Sequence, residues 1–455
     1  MNTLLRNDHT PQADANRATA DGQLNAGAYI TPLAGEPEQR ELRLGFIPLS
    51  DCAPLVVARH KGCFERQGLD VTLTREPSWS AIRDKLACGR LDAAHMLAAI
   101  PLAATLGITG LPCPMITGMS LDLNGNAITV SNKLHAQMTA VDPEAMRRRP
   151  ITAEPLRKVI EFNAAAGREP LTFASVFPFS SHHYELRYWL AAAGIDPDRD
   201  VRLIVVPPPG MVTALSRGEI DGYCVGEPWN SVAVERGVGR VLIAKHELWS
   251  NSPEKVLGVR ADWALRHPNT HRALIRALLE ACAWLDHPDN REEAAQLVAQ
   301  PGYVDASPSA VAAALTGQFR YGPGEPTTNT PDFFVFHRHA ANFPWRSHAM
   351  WTLTQMIRWG QLDPRVDMEQ IAREVYRPEV YRAAAQDLAL PCPAVDYKCE
   401  GTHAQPWTLS GTPPVALGAD TFFDDSAFDP RRPMAYLADF DVTRTAEADG
   451  LFMTR

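Results

Sequence analysis

The residues of this sequence best suited to chemistry stand at the start of one predicted helix. Ser180, Ser181, His182 and His183 follow an apolar run at 171–177, and the apolar spacing after them predicts a helix. Either serine can cap this helix. The first N–H groups of a helix have no internal acceptor, and that end carries a partial positive charge. A capped helix start that follows a buried strand and carries imidazoles therefore predicts a seat for an anion.

The two histidines do not have the spacing of a metal site or of a catalytic base beside a nucleophile. Neighbouring side chains on a helix point about 100° apart, so at most one of His182 and His183 can face a cleft. The sequence also lacks G-x-S-x-G, H-E-x-x-H, a P-loop, and a G-x-G-x-x-G that follows a strand. These absences favour a binding protein over an enzyme.

Two other residues could complete such a binding site. Trp79 lies in a predicted strand-to-helix loop, where its ring can fill a gap in the core or form the floor of a site for a small planar ligand. Lys255 precedes a predicted apolar strand, where it is either a surface lysine or a charge that faces a cleft. The local pattern alone leaves both alternatives open.

Composition indicates a folded, soluble protein of more than one lobe. The chain has 455 residues, of which 45% are hydrophobic and 21% charged, so two or three lobes are expected. The formal net charge of -9 argues against direct binding to nucleic acid or to an anionic membrane. An anionic ligand must therefore be held by a local site.

The first 40 residues are polar and contain no apolar core of signal-peptide length. The longest nearly apolar run, at 96–108, is interrupted by Pro101 and is shorter than the roughly 18 residues that a membrane span needs. We therefore expect a flexible leader at 1–40 and a cytoplasmic location.

The chain contains two copies of one β-α-β-α-β pattern. In both copies a glycine ends a helix, and the next strand opens with a hydrophobic residue, an aspartate and a small residue: CGRLDAAHM at 88–96 and RGEIDGYCV at 217–225. Alternating strands and helices predict parallel sheets, whose ligands lie beyond the carboxyl ends of the strands. Two such lobes that face each other define a cleft.

The predicted division follows from these copies. Lobe one comprises 41–128 and a helix-rich return at 256–390, and lobe two with its crossovers comprises 129–255. Residues 391–455, rich in Pro, Gly and Asp, are expected to wrap the surface irregularly.

Several segments together resemble the nitrate- and bicarbonate-binding proteins of bacterial ABC importers. They are LGFIPLSDCAPLVVARHKGCFERQGLDV, PSWSAIRDKL, NGNAITVSNKL, FPFSSHHYELRYWLAAAGIDPD, VVPPPGMV, CVGEPWNS, SPEKVLGVRADW and DTFFDDSAFDPRRPMAYL. The resemblance spans about residues 41–440. It implies a two-lobed α/β fold of the periplasmic-binding-protein type (type II), with two parallel-sheet lobes joined by two crossover segments.

The resemblance also implies a ligand set. An anion pocket is expected from Trp79, Asn126, His182 and Lys255, with Asn126 in place of the usual glutamine. Lysine at 255 is what nitrate binders have, whereas bicarbonate binders have a glutamate that works with a metal. The implied ligand is thus nitrate, with nitrite, and no metal or other cofactor is expected. Residues expected at the rim of the pocket are Ser78, Ser181, His183, Gly210 and Glu227.

The polar leader fits a cytoplasmic branch of this family, the NasS-type nitrate/nitrite sensors, better than it fits the exported receptors. The resemblance to it implies a protein partner, an RNA-binding antiterminator of the ANTAR type that is released when the anion binds. The alternatives are an importer receptor that is exported and an enzyme on the same fold, as in thiamine synthesis.

Overall fold

The computed structural model describes residues 35–411 and 413–444. The strands of these residues are β1 (Glu41–Phe46), β2 (Asp70–Arg75), β3 (Ala93–Leu97), β4 (Met115–Ser120), β5 (Leu123–Asn124), β6 (Asn126–Ser131), β7 (Thr172–Ser175), β8 (Arg202–Val205), β9 (Gly222–Gly226), β10 (Gly239–Ala244), β11 (Lys255–Arg260), β12 (Gln318–Phe319), β13 (Thr328–Asn329), β14 (Phe334–Val335), β15 (Trp407–Leu409) and β16 (Val415–Leu417).

The α-helices of the same residues pack around these strands. They are α1 (Ala53–His60), α2 (Cys63–Arg66), α3 (Trp79–Ala87), α4 (Ile100–Thr105), α5 (Asn132–Val141), α6 (Glu154–Ala165), α7 (Ser181–Ala192), α8 (Met211–Ser216), α9 (Trp229–Glu235), α10 (Lys245–Leu248), α11 (Ala261–Arg266), α12 (Pro268–Leu285), α13 (Arg291–Val298), α14 (Pro308–Thr316), α15 (Arg346–Arg358), α16 (Met368–Val375), α17 (Pro378–Asp387) and α18 (Pro433–Ala438).

Each of the two lobes is built on a five-stranded sheet. The first sheet has the order β2-β1-β3-β11-β4 and the second β10-β6-β9-β7-β8. In each sheet the three strands of the repeated unit run parallel: β1 with β2 and β3, and β7 with β8 and β9. The two-lobed α/β fold predicted from the sequence is therefore confirmed. Both sheets also contain antiparallel strands, because the chain returns through β11 in one lobe and β6 in the other.

The aspartate shared by the two repeats has the same role in both lobes. Asp92 accepts a hydrogen bond from Arg43 N (2.9 Å) through Oδ2, and Asp221 accepts one from Thr172 N (2.8 Å) in the same way. The backbone N–H groups of Asp92 and Asp221 donate in turn to the carbonyls of Arg43 and Thr172. Each aspartate thus fixes the register at the entrance of its strand, which explains why the pattern occurs twice.

Two segments carry the chain between the lobes. The first joins β4 to β6 through residues 121–125, and the second joins β10 to β11 through residues 245–254. Gly125 turns the first segment at φ +83°, and a Cβ there would lie 1.8 Å from the Phe334 ring. The first crossing thus comes before the domain boundary predicted after residue 128, since β6 pairs with β9 from Asn126 onward. The remaining domain limits stay predictions.

The helices after β11 pack on both lobes. Helix α12 packs on α1, α2 and α17 beside the first sheet. Helix α15 is buried from Ser347 to Arg358. Its Trp351 contacts Tyr188 of α7 in the second lobe and Trp249 in the second crossover. The helices of the predicted return at 256–390 therefore pack on both lobes.

Two later segments, the loop with Tyr321 and the C-terminal region with Phe422, also contact the second lobe or its crossover. In the loop after β12, the Tyr321 carbonyl accepts a hydrogen bond from Val241 N at 2.7 Å, at the edge of the second sheet. In the C-terminal region Phe422 stacks on Trp249, with 4.8 Å between ring centroids. Most of the predicted leader (1–34) and the end of the predicted wrap (445–455) lie outside the described residues.

None of the helices within residues 35–411 and 413–444 combines the length and the apolar character needed to cross a membrane.

The stack of Phe422 on Trp249 predicts that the C-terminal region is part of the folded core. Phe422 is buried, so Phe422→Ala should lower the free energy of unfolding by about 3–5 kcal/mol through lost burial and a cavity. Met434→Ala, at an exposed residue of the same region, is the control and should stay within about 0.5 kcal/mol of the parent. Urea unfolding followed by circular dichroism measures both, and equal midpoints for the two variants would contradict the assignment.

Candidate functional site

The helix start singled out in the sequence is formed as predicted. The Ser180 side chain caps α7 by accepting a hydrogen bond from His183 N at 3.0 Å. Strand β7 ends just before this turn and delivers the helix start to the edge of the second sheet that faces the first lobe. His182, in the first turn, is fully buried.

The carboxylate of Glu254 lies at the centre of the site. Its Oε2 accepts hydrogen bonds from Asn126 Nδ2 (3.0 Å) and Ser181 Oγ (2.5 Å) and contacts the ammonium of Lys245. Its Oε1 lies 2.5 Å from the Nζ of Lys255. Residues of β6, α7, the second crossover and β11 thus converge on one buried carboxylate.

His182 also belongs to this cluster. Its Nε2 lies 3.2 Å from Glu254 Oε1, but neither ring nitrogen makes a hydrogen bond within the described residues. A buried polar group without a partner costs free energy, so such a group marks a place where a ligand or a water is expected. His182 is therefore available to a ligand.

The lobe-one side of the cluster is built around Lys255. Its Nζ lies 2.7 Å from Asp51 Oδ2, and Asp51 Oδ1 accepts a hydrogen bond from His95 Nε2 at 2.8 Å. The backbone N–H of Lys255 donates to Asp122 Oδ1 at 3.0 Å. All four side chains are fully buried.

Trp79 forms the wall beside Lys255. The centroid of its ring lies 5.7 Å from Lys255 Nζ and 5.6 Å from the His95 ring. Its Nε1–H is buried and has no acceptor among the described residues. An indole N–H that is left unpaired beside an ammonium is a donor suited to an anion.

The two lobes are closed over this cluster. Ser50 N donates to the Glu227 carbonyl at 2.7 Å, and Trp229 Nε1 donates to the Pro48 carbonyl at 3.1 Å, both across the cleft. A Cβ on Gly226 would lie 3.3 Å from Asp51 Oδ2 and 3.5 Å from His182 Nε2. A side chain at this position would therefore be in tight contact with both walls. The lobes must part before a ligand can enter.

Burial and neighbouring charges fix the protonation of the groups. Burial alone would raise the pKa of the Glu254 carboxyl, but the ammonium groups of Lys245 and Lys255 outweigh it and hold this pKa well below its usual range. Burial likewise opposes ionisation of Asp51, yet Lys255 and His95 lower its pKa. Both carboxylates are thus ionised beside lysine ammonium groups.

The imidazole of His182 stays neutral in this setting. Burial, together with the charges of Lys255 and Lys245, lowers its pKa to about 3, although Glu254 acts in the opposite direction. Burial and the nearby Asp51 raise the pKa of Asp122 well above its ordinary value. At neutral pH the cluster therefore offers the neutral donors of Trp79 and His182 and the ammonium of Lys255 to an incoming anion.

The four residues expected to bind the ligand lie together, whereas the expected rim residues are scattered. Ser181 contacts Glu254 and belongs to the cluster. Ser78 instead caps α3 by accepting from Ala81 N at 3.2 Å. His183 bonds to Ser175 Oγ (3.1 Å) and accepts from Arg187 Nε (2.9 Å), so it supports α7 and does not contact Glu254.

The other two rim residues lie in loops of the second lobe. Gly210 ends a short turn before α8, and its N–H donates to the Pro207 carbonyl. Glu227 is buried just before α9, and its Oε2 accepts from Ser231 N at 3.1 Å while Oε1 has no partner among the described residues. Its backbone carbonyl, and not its carboxylate, joins the lobes.

Sequence reasoning missed the acidic and basic residues that hold the expected ligand set in place. The sequence offered two signals: the adjacent opposite charges of Glu254 and Lys255 in an apolar segment, and the imidazole of His95 in the interior of a buried strand. The missed residues are Asp51, His95, Asp122, Glu185, Lys245 and Glu254.

Two other features lie outside the cluster. A groove of about 660 Å³ runs between α9, α14 and residues 318–327, and none of the residues around Glu254 lines it. Where the chain is described, no three His, Cys, Asp or Glu side chains converge in a way that could hold a metal ion.

Fold and site together define a two-lobed binding protein of the periplasmic-binding-protein type. The chain belongs to the NMT1-like family, which matches residues 35–299, and the nitrate- and bicarbonate-binding proteins of ABC importers are its homologues. The family resemblance inferred from the sequence is confirmed.

Two curated relatives and one solved structure illustrate the similarity. The nitrate import ATP-binding protein NrtC of Synechocystis is 40% identical over 409 residues, which are 90% of this chain but 56% of that protein. The nitrate/nitrite binding protein NrtA of Synechococcus elongatus is 35% identical over 411 residues, covering 88% of this chain and 86% of the relative. The crystal structure of periplasmic nitrate-binding NrtA from Synechocystis superposes with a TM-score of 0.79 at 32% identity, covering 90% of this chain and 100% of that one.

The buried Glu227 carboxyl predicts a specific pH dependence of stability. Burial raises its pKa to about 7, above the ordinary 4.5. Between these values the unfolded chain binds fewer protons than the native one, so stability falls as pH rises through this window. Glu227→Gln should remove this loss and stabilise the protein by about 1–3 kcal/mol at pH 8.

Urea unfolding at pH 5 and pH 8 measures the effect. Glu235→Gln, at an exposed carboxylate at the end of α9, is the matched control and should keep the parental difference between the two pH values. A parental difference in Glu227→Gln as well would assign the effect to another group.

Proposed function

We propose that this protein binds nitrate, and also nitrite, in the closed cleft between its lobes. The proposed ligand set is Trp79, Asn126, His182 and Lys255. The observation that carries the proposal is a set of buried polar groups without partners, the Trp79 Nε1–H and the His182 imidazole, beside the Lys255 ammonium. The names of the relatives NrtA and NrtC point to the same ligand.

The chemistry of the cluster suits a small planar anion. Nitrate and nitrite carry one charge and only accept hydrogen bonds, so they match an indole N–H, an imidazole N–H and an ammonium, and the flat indole can lie against their plane. Hydrogen bonds to charged groups contribute about 1.5–3 kcal/mol each. Three or four contacts, after the cost of ordering, suffice for micromolar affinity, which corresponds to about 8 kcal/mol.

The same cluster argues against catalysis, and we propose no enzymatic activity. His95 and Lys255 are each engaged by the Asp51 carboxylate, and no serine or cysteine hydrogen-bonds to either histidine of the cluster within the described residues. A nucleophile paired with a base is what an acyl- or group-transfer site would require.

We further propose that the protein is a cytoplasmic nitrate/nitrite sensor that controls an RNA-binding antiterminator of the ANTAR type. The support for this is the resemblance to the NasS-type branch. A partner can respond to the anion only if it binds the open and closed forms with different affinity. The interlobe contacts of Glu227 and Trp229 exist only when the lobes meet, so a partner surface beside them would change with ligand.

The second candidate is a receptor of a nitrate importer, because the relatives NrtA and NrtC carry names of transport proteins. Cell fractionation separates the two proposals. A cytoplasmic protein that co-purifies with the antiterminator, and releases it on addition of nitrate, is the result expected for the sensor. A periplasmic or membrane-associated protein would favour the importer receptor.

The unpaired indole of Trp79 gives a direct test of the ligand site. Trp79→Phe keeps most of the packing and removes only the Nε1–H and part of the ring, so nitrate affinity should fall about 5- to 15-fold, equivalent to about 1–1.5 kcal/mol for one hydrogen bond. Calorimetry with nitrate, nitrite and bicarbonate measures it, and the parent should prefer the first two.

Trp249→Phe is the matched control. The Trp249 Nε1 is also buried without an acceptor among the described residues, but its ring packs on Phe422 outside the cluster. Trp249→Phe should leave nitrate affinity unchanged. Parental affinity in Trp79→Phe would remove Trp79 from the proposed ligand set.

A further inference from the structure

A second contact between the lobes lies outside the cleft, at the C-terminal end of α9. Glu235, the last residue of this helix, accepts hydrogen bonds from Ser307 Oγ at 2.5 Å and from Ser309 Oγ at 2.6 Å. Both serines stand at the start of α14. None of the three residues belongs to the proposed ligand set.

Helix α9 is fixed to the sheet of lobe two. The side chain of Asn230, the second residue of the helix, accepts a hydrogen bond from Thr129 Oγ1 of β6 at 2.8 Å. Its Nδ2 donates to the Val225 carbonyl of β9, also at 2.8 Å. The helix packs on β10 as well. Glu235 therefore moves with the second lobe.

Helix α14 is held on the side of lobe one. In the loop before it, the Tyr303 hydroxyl lies 3.0 Å from Nε2 of His60, at the end of α1. Near its other end, Arg291 of α13 donates to the Leu315 carbonyl at 2.9 Å, and α13 itself packs on α1. The hydrogen bonds from Ser307 and Ser309 to α9 thus join one lobe to the other.

We infer that Glu235, Ser307 and Ser309 form a latch, which holds the lobes closed from outside the ligand site and slows the release of the ligand. The inference rests on the proposed function only for the identity of that ligand. The contact between the lobes is independent of it, because it lies wholly within the protein.

The chemistry of the latch favours the closed form. Its acceptor is a carboxylate, and hydrogen bonds to an ionised acceptor are stronger than neutral ones. The negative charge also lies at the N-terminal end of α14, where the helix dipole stabilises it. Ser307 Oγ accepts from Ala310 N at 3.3 Å while it donates to Glu235, so closure adds an acceptor to a hydroxyl that already caps the helix.

The latch completes the attachment of α9 to lobe one. At the start of the same helix, Trp229 Nε1 donates to the Pro48 carbonyl at 3.1 Å beside the cleft. Trp229 is buried, whereas Glu235 lies at the surface. One short helix of lobe two is therefore bound to lobe one at both of its ends, and opening must detach both.

The latch can open reversibly. Glu235 and Ser309 are exposed and Ser307 is half-buried, so water can replace their hydrogen bonds when the lobes part. The latch thus shifts the equilibrium between the closed and open forms without preventing opening. Because the proposed ligand set is buried between the lobes, the ligand leaves only after opening, and the latch acts on the rate of release.

The test is the variant Glu235→Ala in the full chain. Stopped-flow tryptophan fluorescence after rapid dilution of the nitrate complex measures the rate of release. This rate should rise about 5- to 30-fold, because two hydrogen bonds to a carboxylate are lost. Glu235→Gln should release nitrate at a rate between those of the parent and Glu235→Ala, since its amide can still hydrogen-bond to both hydroxyls.

Glu161→Ala is the matched control. The Glu161 carboxylate is exposed and accepts from Arg157 Nη1 at 2.6 Å, but both residues belong to α6 within one lobe. Its loss should leave the rate of nitrate release unchanged.

A second measurement needs no ligand. Urea unfolding compares Glu235→Ala, Ser309→Ala and the double variant. Residues in contact are not additive, so the double variant should lose less stability than the sum of the two single losses. Ser309 is the better partner for this cycle, because Ser307 also caps α14.

The outcomes separate the two proposals. A parental release rate in Glu235→Ala, or additive losses in the urea cycle, overturns the latch. Absence of nitrate, nitrite and bicarbonate binding by the parent overturns the proposed function, while the urea cycle still decides whether the latch exists.

Discussion

The structure depends on one buried carboxylate. Glu254 is fully buried and is surrounded by cations and donors from β6, α7, the second crossover and β11. A buried ion needs its partners to offset the free energy of desolvation. Loss of one partner leaves an uncompensated charge and destabilises the fold. The positions of Asn126, Ser181 and Lys245 are therefore mutually dependent, and the two lobes can meet only in an arrangement that satisfies Glu254.

This constraint connects the fold to the proposed activity. The carboxylates neutralise the lysines, so the cleft is stable without a large excess of positive charge. The indole N–H of Trp79 and the imidazole of His182 have no hydrogen-bond partner among the described residues. The site is thus arranged to recognise hydrogen-bond acceptors in a small space, and selectivity follows from geometry more than from net charge.

Local patterns allowed the sequence to predict some parts of this site and not others. The repeated glycine and aspartate predicted the two α/β units, because a helix end and a strand register are local features. The predicted cap and helical geometry allowed only one of the two histidines to face the cleft. In the structure this is His182, while His183 accepts a hydrogen bond from Arg187. Asp51, His95 and Glu254 were not predicted as a cluster, because they meet only after three distant segments fold together. The stacking of Phe422 on Trp249 was not predicted, since that contact depends on tertiary packing alone.

The segments that bind across the lobes have a consequence for the equilibrium between the open and closed forms. The carbonyl of Tyr321 pairs with the edge of the second sheet, and Phe422 stacks beside the second crossover, so the lobes are joined at more places than the two crossovers. An opening that separates these attachments must break a backbone hydrogen bond and an aromatic contact, so both contacts favour the closed form over the open one.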